Sequence, residues 1–87
     1  IVFANQVYDV CESAGANYQK VQKAITKHRA IPETYLECNQ NFRGFGGNCL
    51  PKDSLAFARF AAQKLGTNDT IFEHIVEINK KYKPTVF

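Results

Sequence analysis

Through most of this 87-residue chain apolar side chains return at steps of three and four, and no stretch alternates apolar with polar long enough to make a strand. That periodicity predicts an all-α fold of about four helices. The first stripe is Phe3, Val7, Val10, Cys11 and Ala14, with Gly15 as its stop. It is already running at Ile1 with no capping residue ahead of it, so a fragment of something longer is expected. Asn17 caps a second helix with Tyr18, Val21, Ala24 and Ile25 on its face, fading after Thr26 and Lys27. Pro51 suits the first turn of a third, with Leu55, Ala58, Ala61, Ala62 and Leu65 inside and Gly66 at its end. In the fourth, Thr70 and Glu73 make a capping box, Ile71, Ile75, Ile78 and Tyr82 form the stripe, and Pro84 stops the pattern.

The stretch from His28 to Asn48 does not follow this rule. It offers one short turn around Glu33 to Leu36 and then a polar, glycine-rich run. A loop of that length in a small domain is functional or disordered. Phe42, Phe45 and three glycines do not suit a disordered tail, so a binding loop is expected.

With 45% hydrophobic and 22% charged residues, the chain has material for one small core and reads as a single domain. No apolar run approaches a membrane span and no basic-then-apolar leader opens the chain, so a cytoplasmic protein without membrane contact is expected. A net charge of +3, spread along the sequence, lacks the basic block that follows a nucleic-acid backbone. Cys11, Cys38 and Cys49 are odd in number and widely spaced, unlike a disulfide framework, and at least one thiol should be free.

The chemistry concentrates in RGFGGNCLPKD, Arg43 to Asp53. Gly44, Gly46 and Gly47 permit positive φ and close approach of backbone to a ligand. Cys49 stands two residues before the proline that opens a helix, where the peptide dipoles favour thiolate over thiol; Lys52 and Arg43 act the same way if their heads approach. That is the position of a nucleophile, although free cysteines are more often buried and inert. Asp53, within the first helical turn, lies on the same side as Cys49. It can hold a water or share protons with it, or simply stabilise the helix start.

GFGGNCLPKD resembles the catalytic signature of the UDP-glucose/GDP-mannose dehydrogenase family, a Gly-Phe/Tyr-Gly-Gly-x-Cys-x-x-Lys-Asp element. Phe3-x-Asn5, Cys11-Glu12 and Gly15-Ala16 resemble the end of the helix joining the two lobes of such enzymes, and Ile75 to Lys80, with Asn79, the helix after the cysteine. The resemblance implies the all-α central region, similar to the C-terminal domain of 6-phosphogluconate dehydrogenase. It implies NAD-dependent oxidation of a nucleotide-sugar C6 alcohol, such as that of UDP-glucose, to a carboxylate, a step common in polysaccharide biosynthesis.

Residue by residue, it implies Cys49 as the nucleophile that forms a thiohemiacetal and then a thioester, and Asp53 as the aspartate assisting the water or proton steps. Lys52 matches the lysine near the cofactor. Phe42, Arg43, Gly44, Phe45, Gly46 and Gly47 match the loop around the sugar and diphosphate. Arg29 is all that survives here of an Asp-x-Arg-Ile-Gly element whose arginine reaches the substrate of the neighbouring subunit; an exposed loop arginine is the alternative. Glu33 to Asn41 also departs from the common pattern. The family's oxyanion-stabilising lysine and its asparagine, the NAD-binding Rossmann domain and the C-terminal UDP-binding domain are matched by nothing here. Gly44 to Gly47 is not a Rossmann fingerprint, because no strand precedes it. The implied object is therefore an N-terminally truncated central domain, dimeric and inactive alone.

Two other readings compete. A metal site from Cys11, Cys38, Cys49, His28 and His74 lacks any paired ligand spacing, so no metal is expected. A helical protein-interaction module with a structural thiol would share the association surface but not the chemistry.

Overall fold

The computed structural model describes residues 1–82 and is all-α. Its helices are α1 (Val2–Ala14), α2 (Tyr18–Thr26), α3 (Leu50–Leu65) and α4 (Ile71–Asn79). Among the described residues there is no strand, only an isolated bridge between Asn39 and Phe42. Pro84, the expected stop after α4, lies outside the described residues. The chain forms two compact units, the first from Ile1 to Arg43 and the second from Gly44 onward.

In the first unit, Ala4 and Cys11 of α1 meet Tyr18 of α2 and Cys38, with Val7, Tyr8, Val21 and Leu36 packed against them. The Tyr8 and Tyr18 rings meet edge to face at 5.8 Å, a favourable aromatic arrangement. Gly15 ends α1 in the left-handed region at φ 72°, and the Ala16 N–H returns to the Cys11 carbonyl at 2.8 Å. Asn17 caps α2, accepting from the Lys20 N–H at 3.1 Å. The expected face of α1 is corrected: Phe3 and Val10 are 62% and 67% exposed. At about 100° per residue the apolar residues of α1 spread over a wide arc, and α2 with the loop after it covers only the side of Ala4, Tyr8 and Cys11. On α2, Ala24 is likewise exposed.

The chain from Lys27 to Phe42 is held by its ends. The Leu36 N–H bonds the Glu33 carbonyl at 2.9 Å, making the short turn expected there, with Tyr35 at φ 67° inside it. From the first turn of α2, the Tyr18 hydroxyl donates to the Leu36 carbonyl and Gln19 Nε2 to the Cys38 carbonyl at 3.2 Å. Two consecutive helix residues thus pair the backbone of a segment with no regular structure, which satisfies carbonyls that burial would leave alone.

In the second unit α3 packs on α4, with the small Ala58 and Ala61 buried on α3. Pro51 lies in the first turn of α3 and Gly66 ends it at φ 71°. The Thr70 hydroxyl caps α4 by accepting from the Glu73 N–H at 3.2 Å. The capping box forms only in that half. Both Glu73 carboxylate oxygens instead accept from Arg59 Nη1, at 2.8 and 3.0 Å, because the long guanidinium of α3 offers a charged donor. Leu65 and Ile71, expected inside, are 66% and 67% exposed; as the last residue of α3 and the first of α4, they flank the connection beyond the helix contact. Leu55 is also more open than its stripe predicts.

Candidate functional site

Of the three cysteines, all free, Cys11 and Cys38 are buried and Cys49 is exposed. Cys49 occupies the N-cap position of α3, and its carbonyl accepts the first helical bond, from the Asp53 N–H at 2.8 Å. Its side chain makes no capping bond. The thiol therefore sits at the end of α3 where unpaired N–H groups gather, in contact with solvent.

Asp53 follows in the first turn, where a carboxylate stabilises the positive end of a helix. Its Oδ1 lies 3.3 Å from Lys52 Nζ, with both side chains open to water, so the pair contributes little to stability. Asp53 also borders a pocket of about 270 Å³ with Ser54 and Phe57 of α3 and Phe72 and Ile75 of α4. The Phe57 and Phe72 rings meet edge to face at 4.7 Å in its wall. Cys49, Lys52 and Asp53 are thus gathered in the first turn of one helix.

The glycine run leads into that turn. Gly44 and Gly47 have φ of 61° and 84°, the conformation expected for them. Gly46 is buried and does not use the positive φ open to it. A Cβ on Gly44 would lie 2.9 Å from both Asn79 Oδ1 and Tyr82 Cβ. Phe45 is buried, and its backbone is bonded twice by one side chain. The Phe45 N–H donates to Asn79 Oδ1 and Asn79 Nδ2 donates to the Phe45 carbonyl, each at 2.9 Å. The Phe45 ring, with Pro51, Leu55, Val76 and Asn79, lines a cavity of about 200 Å³.

Arg29, Phe42 and Arg43 belong to the first unit. Arg29 is exposed. Phe42 is half-buried and exchanges both backbone bonds with Asn39, at 3.1 and 3.3 Å, closing a tight turn. The Arg43 guanidinium is engaged inside the unit. Nε donates to Asn5 Oδ1 at 2.7 Å, Nη2 meets Asp9 Oδ1 at 2.5 Å, and the group lies 4.7 Å from the centre of the Tyr8 ring. Asn5, only 1% exposed, also accepts from the Cys38 thiol at 3.4 Å and donates to the Ile1 carbonyl at 3.0 Å. Burial pushes the Cys38 thiol up, and the nearby Arg43 charge opposes that rise.

Sequence reading by apolar period overlooked Asn5, Asp9 and the clamp made by Asn79. An amide inside an apolar stripe was the available signal: Asn5 follows Ala4, and Asn79 follows Ile78. Among the described residues no three His, Cys, Asp or Glu side chains come together as a metal site, and no helix is long and apolar enough to cross a membrane.

The chain is thus all-α, with an exposed free cysteine at a helix N-terminus behind a glycine run, and comparison with known proteins names its family. Residues 1–81 match the model of the UDP-glucose/GDP-mannose dehydrogenase family, central domain, and the chain belongs to that family. It is similar to the UDP-glucose 6-dehydrogenase of Rhizobium meliloti (strain 1021), 36% identical over 95% of this chain and 18% of that protein. UDP-glucose 6-dehydrogenase TuaD of Bacillus subtilis (strain 168) is 31% identical over 95% of this chain and 17% of that protein. The UDP-glucose 6-dehydrogenase of Rickettsia felis is 38% identical over 64% of this chain and 12% of that protein. The chain spans less than a fifth of the length of these relatives. No solved structure matches it significantly.

Proposed function

We propose that this chain is the central, cysteine-bearing segment of an NAD-dependent nucleotide-sugar 6-dehydrogenase, oxidising a UDP-sugar such as UDP-glucose to its uronate. The observation that carries the reading is the contrast among the three thiols: Cys11 and Cys38 are buried, while Cys49 stands exposed at the N-cap of α3 behind the glycine run. Membership of the dehydrogenase family supports the substrate class.

In this reading the Cys49 thiolate adds to the C6 aldehyde made by the first oxidation, giving a thiohemiacetal. Loss of a second hydride leaves a thioester on Cys49, and water releases the carboxylate and the thiol. NAD supplies the hydride acceptor in both oxidations. Asp53, in the same first turn, holds or deprotonates that water. Lys52 is exposed and cationic beside it, which suits an approach to an anionic cofactor. The described residues contain no strand, and this reading assigns the dinucleotide fold to other parts of a longer protein.

Phe42 and Gly44 to Gly47 are assigned to the loop around the sugar and diphosphate. Arg43, engaged by Asn5, Asp9 and Tyr8, contributes by holding the end of the first unit, and exposed Arg29 is open to the substrate of a neighbouring subunit. The exposed Phe3 and Val10 on α1 support association into a homodimer. The enzyme is cytoplasmic in this reading.

The test counts NADH released per sugar consumed by the full-length protein, across UDP-glucose, UDP-ManNAc and GDP-mannose, with Cys49→Ser alongside. Two NADH per sugar, lost in the serine variant, is the expected result. Full turnover without Cys49 would leave a helical association module with a structural thiol as the better account.

A further inference from the structure

We propose that Asn79 is the positioning residue for Cys49, acting through the peptide of Phe45; this rests on the reading of Cys49 as the nucleophile. Asn79 is the last residue of α4. Its amide receives the Phe45 N–H and gives an N–H to the Phe45 carbonyl, both at 2.9 Å. That is the paired exchange one strand residue makes with another, performed here by a side chain. The two bonds also fix which end of the amide is oxygen, because only one orientation satisfies both partners.

The grip is close on every side. The Gly44 φ of 61° and the 2.9 Å approach of a Cβ there to Asn79 Oδ1 leave no room for any other residue beside the amide. The Phe45 ring is buried next to Pro51 of the first turn of α3. Three residues separate Phe45 from Cys49, and Cys49 is fixed at its other end by the Asp53 N–H. A segment this short, held at both ends, has few paths. The amide of Asn79 therefore sets where the peptides of Gly46 to Asn48 run beside the thiol, although it touches no reacting atom. A displacement of about 1 Å at a reacting centre is enough to lower a rate about a hundredfold.

The experiment uses the full-length protein carrying this segment, with Asn79→Ala and Asn79→Asp. Backbone hydrogen exchange is followed over residues 44–48, α3 and α4, and kcat and KM are measured for UDP-glucose. In Asn79→Ala, residues 44–48 exchange roughly 30 times faster, as loss of two ordinary hydrogen bonds implies, while α3 keeps its protection. kcat falls roughly 10- to 100-fold, with a smaller change in KM.

Asn79→Asp, nearly identical in shape, keeps the fold should the alanine variant lose it. At pH 7 its carboxylate opposes the Phe45 carbonyl and the loop is deprotected. Below about pH 4 the neutral acid offers one acceptor and one O–H donor in the pattern of the amide, and protection relative to wild type at the same pH returns. Asn79→Ala shows no such return. Unchanged loop exchange and kcat in Asn79→Asp at pH 7, or no recovery in acid, would overturn the inference. Turnover lost in Cys49→Ser but retained in Asn79→Asp with a deprotected loop overturns it alone. Turnover retained in Cys49→Ser removes the nucleophile reading and this inference with it.

Discussion

Arg43 Nη2 lies 2.5 Å from Asp9 Oδ1, joining the residue before the glycine run to the middle of α1 across 34 positions of sequence. The same guanidinium bonds the buried Asn5, so removing the carboxylate leaves a half-buried cation with part of its charge unmatched. Asp9 is itself partly open to water, which screens the pair. Asp9→Ala is expected to lower stability by about 1 kcal/mol, and the loss should shrink in high salt. Urea denaturation at low and high ionic strength checks this.

Gly44 and Gly66 share nearly the same positive φ, 61° and 71°, but differ in surroundings. A Cβ at Gly66 meets nothing within 4 Å, whereas at Gly44 it strikes Asn79 and Tyr82 at 2.9 Å. Gly66→Ala should therefore lose about 1 kcal/mol from backbone strain alone. Gly44→Ala should lose about 2 to 4 kcal/mol, because overpacking adds to the strain. Equal losses in paired denaturation curves would show that the close approach at Gly44 carries no energy.

The thiols should separate by access. Iodoacetamide is expected to label Cys49 in the native protein, with Cys11 and Cys38 reacting only after denaturation. Peptide mapping by mass spectrometry checks the order, and rapid native labelling of Cys38 would contradict its burial.

Burial pushes the Tyr18 phenol up to about 12, from the usual value near 10. The folded protein therefore holds its proton where the unfolded chain releases it. The stability this contributes is fully present below about pH 10 and is lost as pH rises through about 12. Two pH units correspond to about 2 to 3 kcal/mol. Tyr18→Phe should flatten this alkaline fall while losing about 1 kcal/mol at neutral pH, where the hydroxyl bonds the Leu36 carbonyl. Denaturation midpoints between pH 8 and about 12 test both signs.

Thr70→Ala should destabilise α4 by about 1 kcal/mol, since the hydroxyl caps the Glu73 N–H. Thermal melts followed by helical circular dichroism measure the loss.

The helix ends were legible because each depends on one or two local residues: Gly15 and Gly66 turn left-handed, and Asn17 and Thr70 accept the bonds their positions predict. Which arc of each helix is covered was less legible. Phe3, Val10, Leu65 and Ile71 satisfy the period yet stand exposed, because period measures apolarity and not where a neighbouring element lies. In the second unit the strip Cys49, Lys52 and Asp53 could be placed from Pro51 alone. The bonds that shape the loop before it could not. They run from side-chain amides to backbone, as Asn79 does to Phe45, and such pairing leaves no trace in hydropathy. Glu73 shows the same limit, since a distant Arg59 competes successfully for a carboxylate that local spacing assigns to a cap.

The two anchors from the first turn of α2, Tyr18 to Leu36 and Gln19 to Cys38, divide the long return into parts with different evolutionary freedom. Before Glu33 the chain is exposed and closes only local turns, and lengthening a closed loop costs little, about 0.6 kcal/mol per doubling. Insertions and deletions can accumulate there without moving anything downstream. Between Leu36 and Cys38 one extra residue would shift Cys38 off Asn5 and Arg43 off Asp9 together. Length variation among homologous chains should therefore pile up between Ala30 and Glu33, after Arg29, and stop abruptly at Leu36.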